Sequence, residues 1–131
     1  MPQAISHLDT HDWIDNGPKL QKFLTASNIG LSTSVAASGN NTSNLIQSNG
    51  YGAFAVGVTS SQAGTLTVQR YLDAAGTVPQ GSVLTATLVA GTAAVVNATD
   101  GVPFGSFTIS VSNTGTSAAT LSNVGALLQA W

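Results

Sequence analysis

The sequence predicts an all-β protein: an antiparallel β-sandwich or jelly roll preceded by an N-terminal arm with at most a short helix. Three observations carry this. From Leu31 onward, short runs alternate apolar and polar residues with a period of two, as strands with one buried face do. Clusters rich in Gly, Asn, Asp and Pro punctuate those runs at short, regular intervals. Helical spacing is nearly absent beyond residue 30, which argues against an α/β fold.

The elements follow in chain order. Residues 1–30 are expected to form the arm and 31–131 the sandwich. Within the arm, "GPKLQKFL" places Pro18 at a plausible first helical position, with Leu20, Phe23 and Leu24 spaced i, i+3, i+4. That predicts one or two helical turns. "LSTSVAA" then alternates Leu31, Thr33 and Val35, and a polar, turn-rich stretch, "SGNNTSN", follows. "AFAVGVTS" puts Phe54, Val56 and Val58 on one face, and "GTLTVQRYL" does the same for Leu66 and Val68. "SVLTATLVA" sets Leu84, Ala86 and Leu88 against Val83, Thr85 and Thr87. "FTISVSN" sends Phe107, Ile109 and Val111 inward and Thr108, Ser110 and Ser112 outward. The closing "NVGALLQAW" reads as a last strand with Leu127 and Trp131 on one face, or as a docking tail.

Charge narrows the function. Asp, Glu, Lys and Arg together make up 6% of the 131 residues, against about 25% in an ordinary domain. Asp9, Asp12, Asp15, Lys19 and Lys22 account for most of these, leaving only Arg70, Asp73 and Asp100 beyond residue 22. With a net charge of −2 and no basic patch, there is no footprint for nucleic acid or for an anionic membrane. No cysteine is present, so disulfides and thiolate metal sites are excluded. No basic, apolar leader opens the sequence, and the expectation is assembly in a cytoplasm. Polarity comes instead from 15 Ser and 16 Thr. Such a neutral surface suits a protein that lives in contact with neighbours, including its own copies as a dimer or trimer.

Chemistry, if present, should sit in "SHLDTHDWID", which holds both histidines, His7 and His11, and three of the five acids. An i, i+4 histidine pair matches zinc geometry on a helix. The glutamate base of a zinc protease cannot exist in a chain without Glu, so the stretch reads as docking, with no metal and no cofactor. Asp73 and Asp100 lie in turn contexts, where Asp caps its own backbone. No G-x-S-x-G elbow occurs and no His follows residue 11, so no enzyme is expected. Arg70 is expected to pair with Asp73 across a turn.

The stretch "VTSSQAGTLTVQRYLDAAGT", with "FTISVSNTGTSAATLS" later, resembles small β-sandwich structural proteins of tailed-bacteriophage virions. That resemblance implies a capsid decoration (cement) protein on the virion surface, stabilising the shell by binding the major capsid protein or other virion proteins. A tail or baseplate accessory protein is the near alternative. A carbohydrate-binding module is the rival from another class. Its features would be the Asn-rich loops at 38–50 and the platform candidates Trp13, Tyr51, Tyr71 and Trp131. The residues expected to bind a partner are Trp13, Ile14, Leu20, Phe23, Leu24 and Trp131, because exposed apolar side chains near chain ends are costly unless covered.

Overall fold

Alternation decides the layers. The computed structural model describes residues 20–130. Among them the chain forms β1 (Gln21–Thr25), one helical turn α1 (Ala26–Ile29), β2 (Ser34–Val35), β3 (Asn40–Thr42), β4 (Ile46–Gln47) and β5 (Ala53–Ser60). It continues through β6 (Gly64–Tyr71), β7 (Leu84–Leu88), β8 (Ala93–Ala98), β9 (Ser106–Asn113) and β10 (Ala119–Gln129). The buried positions of β5, β6 and β9 recur every second residue, as the sequence pattern requires.

Two antiparallel sheets face each other. The first runs β1–β10–β5–β8, with β2 also on β10; the second runs β3–β9–β6–β7, with β4 also on β9. If β1 and β2 count as one interrupted strand, and β3 and β4 as another, the order is that of an eight-stranded jelly roll. Between the sheets, Phe54, Val56 and Val58 of β5 meet Leu66 and Val68 of β6 and Phe107, Ile109 and Val111 of β9. The Phe54 and Phe107 rings stack at 4.3 Å, and Phe104 closes on Phe54 edge-on at 5.5 Å. Gly64 has a packing reason: a Cβ there would lie 1.8 Å from the Ser112 carbonyl oxygen of β9.

Several expectations change. The boundary expected at residue 30 falls inside the sandwich. β1 adds to β10 in register, from Gln21 opposite Gln129 to Thr25 opposite Gly125, and Ile29 is buried in the core. In the described part of the stretch expected to be helical, residues 21–24 belong to β1 instead. A free edge on β10 offers more hydrogen bonds than a lone turn of helix, which is marginal by itself. Helix forms instead at Ala26–Ile29, where Asn28 Oδ1 accepts from the Thr25 amide (2.9 Å) and hydroxyl (2.8 Å), and Gly30 ends the turn at φ 67°.

The polar stretch at 38–44 is partly strand, because β3 pairs Asn40–Thr42 with Ser112–Ser110. Strand β8 has no counterpart among the alternating runs of the sequence. In β10 a bulge between Ser122 and Gly125, with Asn123 at φ 52°, shifts the alternation by one. Ala126 and Leu128 therefore point into the core and Leu127 points out.

Candidate functional site

The structure scatters the described members of the expected partner-binding set. Leu20 is 75% exposed, and its carbonyl accepts the Ala130 amide at 2.8 Å. Phe23 is 62% exposed and lies on the outer face of the first sheet over Gly125. Leu24, its neighbour on the strand, faces the other way and packs against the core. Trp13, Ile14 and Trp131, together with His7 and His11, lie outside the described residues. No single surface gathers Leu20, Phe23 and Leu24.

The described carboxylates, Asp73 and Asp100, have structural work. Asp100 takes both guanidinium nitrogens of Arg70 at 3.0 Å each, and also the Val102 amide at 3.1 Å. Arg70, on β6 and 9% exposed, lies 5.9 Å from the Phe104 ring centre. The expected partner Asp73 is not used, because its side chain turns back on its own loop. There it accepts from the Thr77 amide and hydroxyl and from the Val78 amide. The Thr77 hydroxyl first, then the Val78 amide, hold the Asp73 carboxyl below its ordinary range. The Arg70 hydrogen bonds first, then the Val102 amide, hold Asp100 down to about 2. Among the described residues no three His, Cys, Asp or Glu side chains cluster to hold a metal ion. No described helix is long and apolar enough to cross a membrane.

What the fold does build is a pocket at the start of the sandwich, of about 190 Å³. Its floor is apolar: Leu24 of β1, Ile29 of α1, Ile46 of β4 and Leu128 of β10. Its wall is Tyr51 with Leu45, and its rim carries Lys22, Asn28, Asn44, Gln47 and Asn49. Local chemistry places each of these. The Asn44 amide donates to the Ile29 carbonyl at 2.8 Å, fastening the 44–51 segment to α1. The Asn44 side chain fits against Gly30, where a Cβ would stand 2.3 Å from its Nδ2. Asn49 and Gly50 both adopt positive φ, 47° and 84°, so the chain reverses sharply and the Tyr51 amide returns to the Ser48 carbonyl at 2.8 Å. That turn aims Tyr51 at the pocket.

The rim keeps hydrogen-bonding capacity. Asn28 uses its Oδ1 at the helix start and retains its NH₂; Gln47 donates to the Ala74 carbonyl at 2.7 Å and retains its Oε1. Asn44 and Asn49 are exposed. An apolar floor, one aromatic wall and four carboxamides are the ingredients of a small-ligand site that reads hydroxyl groups. The sequence alone marks the Asn-rich 38–50 region and Tyr51 but not Lys22, Asn28 or Leu128. Those come from strand β1, helix α1 and strand β10, and only the sheet order brings them together.

A second, wider depression, lined by Thr25, Ser27, Ser32, Thr33, Ser122 and Asn123, opens where β10 bulges between β1 and β2. It has hydroxyls but no aromatic wall.

No protein-family model matches the chain, and no curated protein is similar to it. Solved structures are similar in shape. One is bacteriophage CBA120 tailspike protein 4, at TM-score 0.51 and 16% identity over 86% of this chain. Another is the SPBc2 prophage-derived protein YomS, at 0.49 and 10% over 85%. A third is Clostridium thermocellum xylanase 10B, CBM22-1–GH10 modules, at 0.45 and 16% over 85%. The chain spans 19% of the tailspike chain, 94% of YomS and 24% of the xylanase chain. Carbohydrate-binding modules of other families are among the further similar structures. At these identities the likeness is one of fold: a β-sandwich.

Proposed function

We propose that this chain is a non-catalytic glycan-binding module that holds a sugar ring in the Tyr51 pocket. The observation that carries the reading is the pocket's build, an aromatic wall over an apolar floor with Asn28, Asn44, Gln47 and Asn49 around the mouth. A sugar ring offers an apolar C–H face and a rim of hydroxyls. The first suits the flank of a tyrosine, and the second suits carboxamides, which donate and accept at once. At about 190 Å³ the pocket is smaller than the roughly 300–1,000 Å³ of drug-sized sites, so one ring or a chain end fits it. The carboxylates Asp73 and Asp100 are committed to turns and to Arg70, which supports binding without hydrolysis. A glycan array tests this: reproducible hits are expected, lost in Asn44→Ala and Tyr51→Ala. An array with no hits for the folded protein would remove the reading.

A second reading is a virion structural role, as a capsid decoration or tail protein contacting the major capsid protein or another virion protein. What supports it is the outer face of the first sheet. There Phe23, Leu127 and Ala55 lie in one row, and Gly125, Gly57 and Val95 in the next, with no charge. Copy number in purified particles tests it: hundreds of copies fit decoration, some tens fit a tail, and none rejects both.

A further inference from the structure

Lys22 occupies an unusual place for one of the few charges. On β1 it stands opposite Leu128, whose side chain is buried at 2% exposure, so Lys22 sits on the inward-facing side of an edge strand. There it reaches the rim of the Tyr51 pocket. The other described cation, Arg70, is held by Asp100; Lys22 has no carboxylate partner among the described residues. Among the described residues no carboxylate lines the pocket either.

From this juxtaposition we propose that the pocket selects acidic sugars, with the ligand carboxylate on the Lys22 ammonium and the ring against Tyr51. This rests on the glycan-binding reading and names its ligand class. Lys22 is exposed at the mouth, where a ring seated on the apolar floor would carry its exocyclic group. Asn28 NH₂, on the same rim, is a second donor for the same carboxylate. A neutral sugar leaves Lys22 solvated and gains nothing from it. An acidic one adds a charge-assisted hydrogen bond, with no opposing carboxylate among the described residues of the lining. The competing explanation is that Lys22 guards the edge strand, since an inward-pointing charge hinders pairing with another chain.

Calorimetric titration separates these. The ligands are trisaccharides of glucuronate, galacturonate and mannuronate, each set against its neutral hexose counterpart. At least one acidic member should bind about fivefold to tenfold tighter than its neutral partner, an advantage that shrinks with added salt. Lys22→Met should erase that advantage. Equal or tighter binding of every neutral member overturns the acidic preference. The same holds if Lys22→Met keeps the preference, even if that variant newly self-associates on a sizing column. In both cases the glycan reading survives if Asn44→Ala abolishes the binding seen. Absence of binding to all six ligands, with array hits also absent, overturns both.

Discussion

Arg70 and Asp100 set the pH response of the native state. The carboxyl is held down to about 2 in the folded chain, below its ordinary value of about 3.9. A depressed carboxyl contributes stability that is complete above its unfolded value and is lost as pH falls through its folded value. The contribution is therefore expected to vanish between about pH 4 and pH 2. Asp100 is 46% exposed, so solvent screens the pair, and Asp100→Asn should lower stability at pH 7 by only about 1 kcal/mol. Urea unfolding at several pH values checks this: the gap between wild type and variant should narrow below pH 4. Gly30 matters for a different reason. It combines φ 67° with the Asn44 carboxamide in the space a Cβ would occupy. Gly30→Ala should cost about 1–2 kcal/mol for the left-handed backbone and push Asn44 off the rim, weakening any pocket ligand. Asn49→Gly, which removes the carboxamide but tolerates φ 47°, should weaken the ligand while leaving the turn in place.

At the level of elements, β1 and the bulge in β10 define the pocket. β1 supplies Lys22 and Leu24 and is held along its whole length by β10, so it is part of the folded unit. Truncation through residue 30 should therefore unfold or severely destabilise the chain, since it removes an edge strand and the buried Ile29. Loss of cooperative melting by circular dichroism is the expected result. Asn123 tests the bulge: Asn123→Val should cost about 1–2 kcal/mol in denaturant midpoint terms because a branched side chain resists φ 52°, whereas Asn123→Gly should be close to neutral. Strands β5, β6, β7 and β9 were legible because each carries enough alternating residues to show its inward face. β8 was not, since "AAVVNA" is short and apolar on both sides, with Val95 out and Val96 in. β1 was misread because Leu20, Phe23 and Leu24 fit helical spacing while the deciding influence was a partner strand 100 residues away. The inward face of the last strand is not legible in the sequence because a one-residue bulge has no apolar signature. Half of the candidate site was legible for the same reason: Asn44, Gln47, Asn49 and Tyr51 are local, and the rest is assembled by topology.

As a whole, the molecule is a jelly roll with two different outer surfaces. The second sheet presents Thr65, Thr67, Thr85, Thr87, Ser110 and Ser112, a layer of hydroxyls in register across β6, β7 and β9. The first presents glycine, alanine and a few apolar side chains. Neither face carries a charge cluster, so salt should have little effect on the protein's stability at neutral pH, and its effect on ligand binding should be confined to Lys22. The cleft at Tyr51 combines an aromatic side chain, an apolar floor and four carboxamides, and the central claim is that glycans bind there. Amide chemical-shift mapping with an array-selected oligosaccharide tests it most directly. Shifts concentrated at Lys22–Leu24, Asn28, Asn44–Tyr51 and Leu128, and absent in Asn44→Ala, are the predicted result. Shifts confined to the hydroxyl face of β6, β7 and β9, or to the depression around Asn123, would contradict it.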